Sequence, residues 1–234
     1  KNKIMITINN LIKAYNKKIA VDIPQLEIGN GIIGLVGNNG AGKTTLFRLL
    51  LDLIKADRGE VLSNEKNVAK SDDWKSYTAA YIDEGFLIQY LTPEEYFYFV
   101  GKLHKLSKAD VDEFLTGFTS FFDGSVLKSG KYIRDLSKGN QFKVGIAACL
   151  LQSPEIMILD EPFANLDPSS QIRLIQMMKE INEKKPMTIL VSSHDLNHIT
   201  ESCTRILLME KGLIIKDLQT SSDTLNELED YFKV

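Results

Sequence analysis

Short apolar runs alternate along this chain with stretches of helical period, and the alternation predicts most of its elements. Ile4-Met5-Ile6-Thr7-Ile8 and Ile19-Ala20-Val21-Asp22-Ile23 read as strands joined by a turn-rich Lys/Asn segment, with Leu26-Glu27-Ile28 continuing the same sheet. Ile32-Ile33-Gly34-Leu35-Val36 is a buried strand, followed by a glycine-rich turn and an amphipathic helix through Leu46 to Leu51. A turn over Lys55 to Glu60 leads into a short strand at Val61-Leu62, and Tyr77 to Ile82 forms another apolar run ending at Asp83-Glu84. Further buried strands fall at Ile156 to Leu159 and Thr188 to Ser192, and Ile206 to Met209 with Leu213 to Ile215 reads as a hairpin.

Between these runs the period becomes helical. Thr92-Pro93-Glu94-Glu95 has a cap, a first-turn proline and a glutamate three residues on, which predicts a helix start. That helix runs through Leu103, a second spans about Lys108 to Phe122, and a third follows Ser137 to Leu151. Asp167-Pro168 opens another, running to about Lys184, and a last one covers Thr224 to Phe232. The pattern is that of one α/β domain over residues 1–234, with a core at 1–85 and 153–234 and a helical insertion at about 86–152.

Composition changes this picture little. With 44% hydrophobic and 25% charged residues, the 234-residue chain is that of an ordinary globular domain. A net charge of −3 gives no electrostatic footprint for nucleic acid, and no nucleic-acid partner is expected. No apolar run approaches the roughly 18 residues that cross a bilayer, so membrane association is expected only through a partner. Lys1-Asn2-Lys3 leads directly into a strand, so no signal peptide is expected, and the short tail after His194 is expected to hold no regulatory domain. Cys149 and Cys203 sit in apolar contexts without metal-ligand spacing and read as buried thiols of a cytosolic protein.

Candidate chemistry concentrates at Gly37-Asn38-Asn39-Gly40-Ala41-Gly42-Lys43-Thr44-Thr45. A strand before it, a helix after it, and Gly37, Gly42, Lys43 and Thr44 at the defining spacing fit a phosphate-binding loop. The glycines let backbone N–H groups point at phosphate oxygens, Lys43 can reach the β- and γ-phosphates, and the Thr44 hydroxyl can bind Mg²⁺. Asp160-Glu161 ends a four-residue apolar strand, where a carboxylate can be presented to Mg²⁺ beside such a loop. Other positions are open to a plain reading. Tyr15 can simply pack on its neighbours, Leu136-Ser137-Lys138-Gly139-Asn140 can be a simple helix cap, and His194 can be a satisfied polar residue at a strand end.

Taken together and in order, these motifs resemble the ATP-binding subunit of an ABC transporter along nearly the whole chain. The resemblance implies a P-loop NTPase core of the ABC ATPase type, with an antiparallel β subdomain and an inserted α-helical subdomain. It implies ATP and Mg²⁺ as ligands, Tyr15 stacking on adenine, and Asn38, Asn39, Gly40, Ala41 and Thr45 lining the phosphates with the four defining residues. It further implies Glu161 as general base, His194 as a γ-phosphate contact, and Asp160 and Thr44 at the metal. Leu136 to Asn140 would be the signature that meets nucleotide bound by the other subunit, and Asn165-Leu166-Asp167 the D-loop. Glu84 stands where the family commonly has Gln, and a carboxylate there could touch the metal or water.

The implied partners are a second copy or a homologous ATPase subunit, in a head-to-tail sandwich, and an integral membrane permease on whose cytoplasmic side the subunit sits. Lys138, in place of the commoner Gly, resembles exporter ATPases of the peptide-antibiotic resistance type and leans the reading towards export. The helical insertion and the Glu84 loop would form the permease groove, with the aromatics of Glu95 to Phe99 serving either that groove or the insertion's own core. The rivals are a translation- or DNA-associated ABC ATPase and a regulatory module of little turnover.

Overall fold

The computed structural model describes residues 3–82, 84–164 and 166–232; Asp83, Asn165 and the side chain of Glu84, with the roles expected of them, lie outside the described residues. The chain opens with a long hairpin, β1 (Ile4–Tyr15) and β2 (Lys18–Gly29), turned by Asn16 and Lys17 at φ 48° and 67°. The sequence predicts shorter strands here, with Leu26–Ile28 continuing their sheet, as it does within β2. Pairing instead carries both strands through, and the register passes from Leu11↔Ile23 to Asn9↔Gln25 across Pro24 and the left-handed Asn10. Next come β3 (Gly31–Val36), α1 (Lys43–Leu50), β4 (Arg58–Ser63), β5 (Lys66–Asn67) and β6 (Thr78–Tyr81).

Four helices follow in the chain: α2 (Pro93–Leu103), α3 (Lys108–Thr116), α4 (Thr119–Phe122) and α5 (Lys138–Leu151). The helix expected over Lys108 to Phe122 is therefore two. At the break Gly117 and Phe118 donate three residues back, to Phe114 and Leu115, and glycine gives the helix least to hold it there. The remainder is β7 (Ile156–Leu159), α6 (Pro168–Lys184), β8 (Thr188–Ser193), α7 (Leu196–Ser202), β9 (Arg205–Glu210), β10 (Leu213–Gln219) and α8 (Thr224–Phe232). Helix α7 is an addition to the elements read from the sequence; its signal was Asp195, which caps it by accepting from the Asn197 and His198 N–H groups. The capping box at Thr92/Glu95 forms as the sequence predicts.

Two sheets result. One is antiparallel, in the order β2-β1-β4-β5; the other runs β10-β9-β3-β8-β7-β6, parallel except for β10. The parallel strands are apolar on both faces because both are covered. Ile33, Leu35, Ile156, Ile158, Leu190 and Leu207 face α1 and the antiparallel sheet, in a core with Phe47 at its centre. Their neighbours Ile32, Val36, Met157, Leu159, Ile189 and Val191 face the other way, into the core shared with α5, α6 and α7. Cys149 and Cys203 are buried, and burial pushes both thiols up to about 12.

Helix α5 is buried from Gln141 to Leu151, so it must approach the sheet closely. It does so over Gly145, where an added Cβ would lie 2.2 Å from the Tyr81 ring, itself held edge-on to Phe142 at 4.7 Å. The run Tyr96 to Phe99 divides between the two readings: Phe97 is fully buried against Phe122, while Phe99 is exposed. Replacing Gly145 with Ala is expected to lower stability by about 1–3 kcal/mol through overpacking against Tyr81. The check is a denaturant melt of Gly145→Ala, and an unchanged midpoint would contradict the close approach.

Candidate functional site

The parallel sheet brings the candidate residues to one edge. Val36 pairs with Ser193 and Leu159 with Val191, so β3, β7 and β8 end at about the same level, where ligands of such sheets bind. The chain leaving β3 turns through Gly37 to Gly42 into α1. Gly42 caps that helix at φ 113°, and Gly40 sits at φ 82°. Two glycines are required by proximity: a Cβ on Gly37 would lie 2.2 Å from the Met209 carbonyl, and one on Gly42 2.2 Å from that of Ala20. The loop is thus wedged between β2 and β9. A cleft of about 230 Å³ opens over it, lined by Ala20, Asn39 to Thr45 and Glu161.

Lys43 is buried and its ammonium donates to the Gly37 carbonyl at 2.6 Å. It also lies 3.3 Å from Glu161 Oε1, while Glu161 Oε2 lies 2.9 Å from His194 Nδ1. Each carboxylate oxygen of Glu161 therefore has its own partner, which fixes the plane of the group. Asp160, one residue earlier, is 8% exposed and accepts from the Thr44 hydroxyl at 2.5 Å. Its other oxygen accepts from the Ser192 hydroxyl, and Ser192 Oγ in turn accepts from the Glu161 N–H at 2.8 Å. Thr44 and Asp160 place hard oxygen donors side by side, a donor set that suits Mg²⁺.

The expected residues Gly37 to Thr45, Asp160, Glu161 and His194 are thus brought together. Tyr15 does not line the cleft; it ends β1, 46% exposed, with the Lys13 ammonium 5.4 Å from its ring. None of Leu136 to Asn140 lines it either. Ser137 caps α5 by accepting from the Asn140 N–H, and Ser137 and Lys138 are exposed at that helix N-terminus. Asp167 caps α6 and accepts from the Ser169 and Ser170 hydroxyls and the Ser170 N–H, which hold its carboxyl well below the usual range. The sequence reading has Ser192 only as the end of a buried strand, not as a site residue. Its only signal is a hydroxyl near the end of a buried parallel strand, beside His194.

A family model described as "ABC transporter" matches residues 22–164, more than half of the chain, and one described as "AAA domain, putative AbiEii toxin, Type IV TA system" matches residues 130–200. The uncharacterized ABC transporter ATP-binding protein YxlF of Bacillus subtilis is 32% identical, over 90% of this chain and 69% of that protein. The methionine import ATP-binding protein MetN 1 of Shouchella clausii is 34% identical, over 85% and 59%. ABC transporter A family member 11 of Dictyostelium discoideum is 32% identical, over 79% of this chain. The chain spans about a fifth of the length of that last relative and about three-fifths of MetN 1. Among solved structures, an ATP-binding subunit of an ABC transporter superimposes with a TM-score of 0.83 at 24% identity, covering 97% of this chain and 93% of that one. The fold is that of an ABC ATPase, and the chain belongs to the ABC transporter family as an ATP-binding cassette.

Proposed function

We propose that this chain binds ATP with Mg²⁺, hydrolyses it between two paired cassettes, and drives a separate membrane permease. The observation that carries the reading is the contact chain Gly37–Lys43–Glu161–His194 along the wall of the phosphate-loop cleft. Backbone N–H groups of the loop and the start of α1 orient the phosphates, and Lys43 sets its charge against them. Glu161 accepts the proton of the attacking water as its oxygen bonds the γ-phosphorus and the bond to the β-phosphate breaks, giving ADP and phosphate. His194 holds the Glu161 carboxylate in place and contacts the γ-phosphate. Thr44 and Asp160 would hold Mg²⁺, which when bound neutralises charge on the phosphates. Tyr15 would stack on the adenine, near Ala20 where the hairpin meets the loop.

The half of the site that this cleft lacks is found elsewhere on the chain. The exposed N-terminus of α5, with Ser137 and Gly139, suits a phosphate but does not line the chain's own cleft. Head-to-tail pairing of two copies, or of this chain with a homologue, brings that terminus to the partner's nucleotide, with Asp167 at the seam.

Partner docking is proposed on a second face. Phe86, Tyr90 and Tyr132 are 50%, 70% and 45% exposed, and the Arg134 guanidinium stacks between Tyr90 and Tyr132 at 4.8 and 5.4 Å. Exposed aromatics with an arginine favour a protein interface, and the permease is the proposed occupant. No helix among the described residues is long and apolar enough to cross a membrane, so the proposed place is the cytoplasmic side of the membrane, through the permease. Export is proposed on Lys138 alone. A methionine import subunit is 34% identical, so likeness of the core does not by itself favour export.

Replacing Glu161 with Gln is expected to lower the ATPase rate by about 10²- to 10⁴-fold while nucleotide binding persists. A Glu161→Gln protein turning over at the wild-type rate would refute the general base. Tyr90→Ala is expected to weaken capture of the permease by about tenfold or more, leaving the isolated chain's hydrolysis intact. Equal capture by both proteins would move the interface elsewhere.

A further inference from the structure

We propose that Ser192 is a positioning residue that sets Asp160 and Glu161 together, through one buried hydroxyl. This deepens the hydrolysis reading above and rests on it. A serine hydroxyl has one proton to donate and lone pairs to accept with. Ser192 uses both: it donates to Asp160 Oδ1 and accepts from the Glu161 N–H at 2.8 Å. It is fully buried, so no water competes for either bond.

The two bonds act on different things. At Asp160 the hydroxyl takes one carboxylate oxygen and leaves Oδ2 turned to Thr44, 2.5 Å away, which is the donor pair suited to Mg²⁺. At Glu161 it holds a backbone that a glutamate adopts at a cost, since φ is 48° in the left-handed region. That conformation turns the chain sharply after β7 and sends the Glu161 side chain back towards Lys43 and His194. Released from Ser192, the peptide could relax, and the carboxylate would leave both partners. The neighbouring Ser193 does a different, local job, accepting from the Asp195 N–H at 3.0 Å in the turn before α7. The register of β8 against β7 puts Ser192 at this point: Val191 pairs with Leu159, so the next residue on each strand meets its counterpart.

The test compares wild type, Ser192→Ala and Ser192→Cys, whose thiol is larger than the hydroxyl and donates only weakly. Two quantities are read: ATP hydrolysis as a function of Mg²⁺ concentration, and affinity for a fluorescent ATP analogue with Mg²⁺ and with EDTA. The expected result is a kcat lower by about 10- to 100-fold and a higher Mg²⁺ requirement. Affinity in EDTA, set by the phosphate loop, is expected to stay within about twofold, while the gain on adding Mg²⁺ shrinks. Unchanged kcat and Mg²⁺ dependence, alongside an inactive Glu161→Gln protein, would overturn the inference and spare the hydrolysis reading. Equal loss of affinity with and without Mg²⁺, or failure of both variants to fold, would show a merely structural serine. If wild type does not hydrolyse ATP, the hydrolysis reading falls, and the Mg²⁺-linked affinity still decides the role of Ser192.

Discussion

One buried carboxylate ties three strands of this molecule together. Asp160 accepts from Thr44, at the start of the helix after β3, and from Ser192, near the end of β8, while itself ending β7. Burying a charge is costly unless hydrogen bonds answer it, so the three strand ends must stay in register for the carboxylate to be tolerated. The phosphate loop, Glu161 and His194 are all anchored to those strand ends. Their relative placement is therefore a property of the sheet rather than of flexible loops. The apolar residues beneath, alternating between two cores along each strand, hold the register from below.

The same rigidity bears on the proposal that two cassettes share a site. The α5 N-terminus is fixed by the burial of its helix from Gln141 onward and by the close approach of Gly145 to Tyr81. It cannot swing over its own phosphate loop without dismantling that packing. A phosphate-suited helix end that is held rigidly away from the chain's own cleft is most simply completed by another cassette.

Much of this was legible in the sequence where the signal is local. Gly37 to Thr45 declares itself by spacing, Thr92-Pro93-Glu94-Glu95 and Asp167-Pro168 by cap chemistry, and Asp160-Glu161 by ending an apolar run. What stayed hidden depends on pairing between distant segments. The length of β1 and β2 follows from a register that absorbs Pro24 opposite Asn10, and the split at Gly117 from the packing of Phe118, Phe121 and Phe122. Ser192 is indistinguishable in sequence from Ser193; only the register of β8 on β7 separates a hydroxyl that bonds both Asp160 and the Glu161 N–H from one that accepts within a turn. The aromatic run at Tyr96 to Phe99 could not be divided without knowing which face of α2 meets Phe122.

The most direct measurement is sedimentation of the Glu161→Gln protein in saturating Mg-ATP, beside the same protein carrying Ser137→Arg. Two half-sites that complete each other predict a dimer for the first and a monomer for the second, because the bulky cation spoils the α5 terminus and leaves the phosphate loop untouched. A monomer in both, at full nucleotide occupancy, would contradict the shared site, and a dimer in both would place the contact somewhere other than α5.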